Sequence, residues 1–345
     1  MKKKIAFILD HKLNHYRTPL FSALDKHYSV TVFHRGPFIE NCCFQQEIIS
    51  YKKIGPFEYI ANLSRLSELD AVVIMQNLRI INLYSLPFTL RNKPILMWGI
   101  GTSSAGGLGT ESALSVFIRN TITSMYTALA LYSPIPLANY WKSNQEKISI
   151  VGNSIVNEQS INTSRETKRY LLFIGTLDKR KGLNELINSF NRALAQHPDL
   201  KLKIVGEGPE KFKLEQQTSD LGLTNNVEFL GAIHDPVEKK KIFTHSYCVI
   251  SPLQAGLSVV ESFSYGVPFV TSANAITGGE SQSIIHDKNG VLFEDVEELS
   301  NVICSFIDGR RSSATLGYNA FKFYKEHLDF ELYVQRFKKF IDKNI

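Results

Sequence analysis

The sequence predicts an α/β protein built from two doubly wound parallel sheets, one in each half of the chain. Three observations carry that expectation. At 345 residues the chain exceeds what one compact core usually holds. Short apolar runs alternate with helical spacing through both halves, the pattern of strand–helix–strand units. Between the halves, residues 157–168 (NEQSINTSRETK) are polar and aperiodic, which marks an interdomain linker. The expected domains are therefore 1–156 and 169–325, with residues 326–345 forming a terminal helix that packs back across the domains.

In the first half, residues 5–9 read as a buried strand, 15–26 as a helix with Pro19 in its first turns, and 28–33 as a second strand. Residues 69–75 and 95–98 are further apolar strands, with residues 64–67 ending an intervening helix. Residues 111–126 have helical spacing, 128–132 return to strand, and 148–151 form a short strand broken by Gly152. The second half restarts with strand 170–174, a turn at 175–182 and helix 183–195. Strand 202–205, the turn Gly206-Glu207-Gly208-Pro209 and helix 210–221 follow. Strand 227–230, helix 236–244, strand 247–250, helix 257–265 and strand 269–271 complete the alternation. Residues 330–341 make an amphipathic last helix. In doubly wound sheets ligands sit beyond the carboxyl ends of strands, so the loops there hold the candidate site residues.

Composition narrows the class. Hydrophobic content of 43% and charged content of 21% are those of an ordinary globular chain. The net charge of +6 is scattered, with no basic stripe interleaved with aromatics, which favours a small anionic substrate or an anionic membrane surface over nucleic acid. Cys42, Cys43, Cys248 and Cys304 form neither a disulfide framework nor a zinc spacing, so reduced cytoplasmic thiols are expected. The apolar run at the start is too short for a signal segment and reads as a strand. No stretch approaches the ~20 apolar residues of a membrane span.

The segment SPLQAGLSVVESFSYGVPFV, residues 251–270, concentrates the chemistry. After a strand it passes Gly256 and opens a helix that carries one acid, Glu261. A helix start offers unpaired N–H groups and a positive dipole end, which suit a phosphate. One carboxylate a turn inside can accept hydroxyls from a ribose or a sugar. Ser258 and Glu261 also fit a capping box, so the acid has a purely structural reading as well. The loop Lys179-Arg180-Lys181-Gly182 reads alone either as a solvated surface or as an anion site. Gly206-Glu207-Gly208 and Gly99-Ile100-Gly101 fail as dinucleotide fingerprints, because Lys211 and Ser104 stand where the third glycine belongs.

Taken together, FIGTLDKRKGLNELI, LKIVGEGPE, VEFLGAIHD, SPLQAGLSVVESFSYGVPFV and IIHDKNGVLFED, in that order, resemble the family 4 (group 1) glycosyltransferases with two Rossmann-like domains facing a cleft, the GT-B type. HYRTPLFSAL and KISIVGNSI in the first half are compatible with it. The resemblance implies hexosyl transfer from a nucleotide diphosphate sugar, with retention at the anomeric carbon and no metal or other cofactor. Lys181 matches the lysine that neutralises the leaving diphosphate, with Arg180 beside it; the family's strand-end arginine is here Thr176. Glu261 matches the second of two glutamates, the one that touches the ribose. The first, at the sugar, falls on Leu253, with Gln254 its nearest polar neighbour. Gly256, Leu257 and Ser258 match the phosphate-binding helix start, Glu207 the turn beside the nucleotide, and Gly231 and Ile233 the backbone at the base edge. A histidine that many relatives carry after Trp-Gly is here Ile100. His11, Asn14 and Arg17, after the first strand, are the acceptor-side candidates.

Such enzymes commonly build bacterial surface polysaccharide, O-antigen or capsule, on glycan or lipid-linked saccharide acceptors. The expected place is therefore cytoplasmic, with peripheral contact at the inner membrane face. Tyr84, Phe88, Arg91 and Lys93 form a cluster that suits either docking there or ordinary helix packing. Two alternatives stay open: a degenerate sugar-nucleotide-binding subunit, motivated by Thr176, Leu253 and Ile100, and a nucleotide-sugar epimerase on the same scaffold.

Overall fold

The structure, a computed structural model, describes residues 1–61, 63–102, 111–157 and 167–345. Of the expected linker, 158–166 lies outside the described residues. By contact, residues 1–102, 111–156 and 330–345 form one compact unit, and 157 with 167–329 a second.

Among its described residues the first unit holds nine strands: β1 (Lys4–Lys12), β2 (Ser29–Arg35), β3 (Gln45–Ile48), β4 (Tyr51–Ile54), β5 (Phe57–Ile60), β6 (Ala71–Met75), β7 (Ile95–Gly99), β8 (Ala128–Leu131) and β9 (Ile148–Ile150). Seven form a parallel sheet in the order β3-β2-β1-β6-β7-β8-β9. Residues 5–9 of β1, and β6 and β7 along their length, are apolar because helices or turns cover both faces. Among its described residues the helices before the second unit are α1 (Thr18–Asp25), α2 (Leu86–Thr89), α3 (Ala113–Ser124) and α4 (Lys142–Gln145).

Two expectations need correction. The helix expected before residues 64–67 is absent; the chain instead adds edge strand β3, an antiparallel β4–β5 hairpin and only a 3-10 turn at Ser64–Glu68. Gly55-Pro56 is the reason: Gly55 takes a left-handed φ of 59°, which closes a tight turn between two aromatic and β-branched stretches. The helix expected over 15–26 begins as a 3-10 turn, His15–Arg17, and becomes α-helical only at Thr18. Pro19 lacks an N–H and is tolerated only in a first helical turn, so the α-helix starts around it.

In the second unit the parallel sheet runs β12-β11-β10-β13-β15-β17, formed by β10 (Tyr170–Ile174), β11 (Lys201–Val205), β12 (Val227–Gly231), β13 (Ser246–Ile250), β15 (Phe269–Ser272) and β17 (Gly290–Phe293). The two-residue strands β14 (Gln254–Ala255) and β16 (Ile276–Thr277) pair in parallel beside it. Its helices are α5 (Leu183–Leu194), α6 (Lys211–Asp220), α7 (Pro236–Thr244), α8 (Leu257–Ser264), α9 (Leu299–Ile307) and α10 (Ser313–Phe323). Strand order reverses between β10 and β13, the kind of switch point beside which doubly wound sheets hold ligands.

The last helix, α11 (Phe330–Asn344), belongs to the first unit. Its fully buried Phe337 sits edge-on to Trp98, centroids 5.1 Å apart, and 6.0 Å from Phe7. That aromatic stripe fixes the helix to the sheet face that also carries Phe21.

Candidate nucleotide-sugar site

The loops after β10 and β13 flank the switch point of the second unit. After β10, Asp178 caps a 3-10 turn, Lys179–Lys181, by accepting the Arg180 N–H at 2.9 Å. Gly182 ends the turn at φ 73°, and a Cβ there would lie 2.6 Å from Leu253 Cγ. The close approach requires glycine. It also locks the two loops together, since Leu253 N–H donates to the Lys181 carbonyl at 3.3 Å.

Lys181 is half-buried and runs back along the strand end, its Cε 3.9 Å from where Gly175 would carry a Cβ. Burial and the neighbouring Arg180 push its ammonium below the usual lysine range, while Glu280 and Asp178 pull it back. Arg180 is different: its side chain is 63% exposed and bound to Asp178 at 3.0 Å. The two basic residues that the sequence places together thus separate into one inward and one solvent-facing.

Next along the switch point, α8 begins at Gly256 with no side chain capping it. Ser258 Oγ is buried without a hydrogen-bond partner among the described residues. The capping-box reading of Ser258 and Glu261 is therefore not what forms. Glu261 instead accepts from Lys239 Nζ, on α7, at 2.6 Å, with the two side chains only 16% and 23% exposed. Gln254 is half-buried on β14, and its carbonyl accepts the Ser251 hydroxyl at 2.8 Å.

The ends of β11 and β12 complete the rim. Gly206 N–H donates to the Gly231 carbonyl at 2.8 Å, and a Cβ on Gly206 would collide with the Gly175 carbonyl at 1.8 Å. Exposed Glu207 pairs with Lys211 at 2.8 Å, and Ile233 is half-buried beyond Gly231 at φ 69°.

The acceptor-side candidates lie in the first unit, where the switch point falls between β1 and β6. Asp10 accepts from Asn77 Nδ2 at 2.9 Å and bonds His11 Nδ1 at 2.6 Å. Burial opposes ionisation of Asp10, but His11, Asn77 and the charge of Arg17 outweigh it and hold the carboxyl below the usual range. Asn14 is half-buried and begins the 3-10 turn without capping it through its side chain. Arg17 is turned inward: it is 8% exposed, its guanidinium lies 4.5 Å over the Trp98 ring, and it donates to Tyr132 Oη at 3.1 Å. In the docking cluster, Phe88 is 58% exposed, but Tyr84 bonds the Asn77 carbonyl and Lys93 the carbonyls of Ser67 and Leu69. Sequence reasoning missed Lys239, Asn77 and Glu280. The first sits in a run of three lysines, and nothing in that run distinguishes the one that turns inward.

Residues 155–323 match the family model described as glycosyl transferases group 1. An uncharacterized glycosyltransferase of Methanocaldococcus jannaschii is 33% identical over 150 residues, 39% of this chain and 36% of that one. The phosphatidylinositol N-acetylglucosaminyltransferase gpi3 subunit of Schizosaccharomyces pombe is 30% identical over 50% of this chain and 39% of its own length. The match thus spans little more than a third of these curated relatives. Among solved structures, Anabaena Alr3699/HepE in complex with UDP superposes with a TM-score of 0.75 at 17% identity, covering 99% of this chain and 100% of that chain. A glycosyltransferase from Rickettsia africae gives 0.76 at 12% identity, over 99% of both chains. These likenesses show the fold, two Rossmann-like units of the GT-B type. Through residues 155–323, just under half of its length, the chain is similar to the group 1 glycosyl transferases.

Proposed function

We propose that the protein is a retaining glycosyltransferase that moves a hexosyl group from a nucleotide diphosphate sugar to a hydroxyl of a glycan or lipid-linked saccharide. The observation that carries the reading is the half-buried Lys181 at a switch-point strand end, tied through Gly182 and Leu253 to the loop that opens α8.

In this reading the diphosphate rests on the uncapped start of α8, on Gly256, Leu257 and the Ser258 hydroxyl. Glu261 accepts the ribose hydroxyls while paired from its other side with Lys239. The bond from the anomeric carbon to the phosphate oxygen breaks with its electron pair on that oxygen. The acceptor oxygen attacks from the same face, and its proton passes to the departing phosphate. Lys181, already stripped of part of its water, meets the charge that develops on the diphosphate, so it stabilises the transition state more than the ground state. These groups supply positive charge without a resident metal, and metal-independent transfer is part of the proposal. A role in surface polysaccharide synthesis is part of the proposal, drawn from the family that the sequence motifs resemble. Peripheral membrane contact is supported by a patch on the first unit: exposed Leu114, Phe117 and Ile118 on α3 beside Trp141, whose ring lies 5.7 Å from Phe117. Among the described residues no helix is long and apolar enough to cross a membrane.

Release of nucleoside diphosphate from a panel of nucleotide sugars, with and without lipid-linked acceptors, tests the reading. Acceptor-dependent release supports it. Tight binding with no turnover supports a binding subunit, a reading that Leu253 favours because its side chain fills the space beside Gly182 with no oxygen to offer.

A further inference from the structure

We propose that Glu280 is the carboxylate that grips the hydroxyls of the donor sugar, replacing in space the acid that position 253 lacks; this rests on the nucleotide-sugar reading above. The juxtaposition comes from the small β14–β16 pair. Leu253 precedes β14, and its carbonyl accepts the Ile276 N–H at 2.8 Å, which joins the chain before α8 to the chain before Glu280. Three residues after β16 the chain enters a 3-10 turn, Glu280–Ser283, which packs against α8. Leu253 itself points into the Lys181–Gly182 turn, 2.6 Å from the place of a Gly182 Cβ. Glu280 is thus brought to the same group of loops as Lys181, Leu253 and the start of α8, and its charge is felt at the Lys181 ammonium.

The carboxylate is oriented from behind. Its Oε2 accepts the Gly278 N–H at 3.0 Å and faces Thr277 Oγ1 at 3.4 Å. A carboxylate has about four acceptor sites, so a hydroxyl-rich ligand is a chemistry it can receive. The ligand class is a neutral hexose bearing free hydroxyls, carried on the diphosphate that Lys181 neutralises. An anionic sugar would meet a like charge and be disfavoured.

The competing reading is that Glu280 only staples its own turn. Glu280→Gln separates the two, because the amide oxygen still accepts the Gly278 N–H while the charge is gone. Calorimetric titration compares UDP, GDP and ADP with UDP-glucose, GDP-mannose and ADP-glucose. In the variant, the diphosphate that binds wild-type protein should keep its affinity within twofold, and its sugar conjugate should weaken at least tenfold. Leu253→Glu in the Glu280→Gln background should recover most of that loss. A variant that holds the conjugate as tightly as wild type, weakens equally for both ligands, or gains nothing from Leu253→Glu overturns the assignment. Wild-type protein that binds none of the three diphosphates overturns the donor-site reading beneath it, a different failure.

Discussion

Glu261→Ala puts the nucleotide site to a quantitative test. The acid is 16% exposed and paired with Lys239 at 2.6 Å, so its removal strands a mostly withdrawn ammonium. Breaking a fully buried pair costs about 3–5 kcal/mol; Lys239, 23% exposed, can still turn toward water, which lowers the expected cost to roughly 1–3 kcal/mol. Loss of a hydrogen bond from a ribose hydroxyl to a charged acceptor costs a further 1.5–3 kcal/mol of binding, or about 10- to 150-fold in affinity. The assay is titration with whichever of UDP, GDP or ADP binds best, beside its 2′,3′-dideoxy analogue. Wild-type protein should prefer the ribose form by at least about tenfold, and Glu261→Ala should distinguish the two by less than about threefold. Lys239→Met, which breaks the same pair from the other side, should lose comparable stability yet keep the preference. If Glu261→Ala melts lower but still favours the ribose form as wild type does, the acid is structural and the ribose assignment is wrong.

Two further outcomes follow from other parts of the molecule. Lys181 titrates below the ordinary lysine range and must be protonated to neutralise the diphosphate, so kcat/KM should hold at lower pH and fall as pH rises through that depressed value. Arg180 moves the limb down and Glu280 and Asp178 move it up, while Lys181→Arg should carry it beyond the measurable range; a limb at the same pH in both proteins contradicts the assignment. Phe337→Ala empties a fully buried site between Phe7, Trp98 and Phe340, which should cost about 3–5 kcal/mol and lower the melting transition of the first unit by roughly 10 °C in scanning calorimetry. An unchanged melt would show that α11 does not hold that unit together.

The parallel sheets were legible because a strand buried on both faces must be apolar along its length, and runs such as Tyr170–Ile174 have few other uses. The edge was less legible. Gln45–Ile48 is polar and half-exposed, and only Gly55-Pro56 announces the hairpin that follows. In the candidate site, the loops that carry Lys181, Gly256 and Glu261 were legible because each follows a strand of the parallel sheet. Partners from distant segments were not legible. Lys239 lies 22 residues from Glu261, and its role depends on α7 packing beside α8. Arg17 reads as an acceptor-side candidate, and only the fold shows Trp98 beneath it. Glu280 gains meaning only once β14 pairs with β16.

The most direct test of the account compares wild-type protein and Lys181→Ala in acceptor-dependent release of nucleoside diphosphate from a nucleotide sugar. A fall in kcat of about 10²–10³-fold is expected, with an unchanged melting transition showing that the fold is kept. Turnover by Lys181→Ala equal to wild type would contradict it.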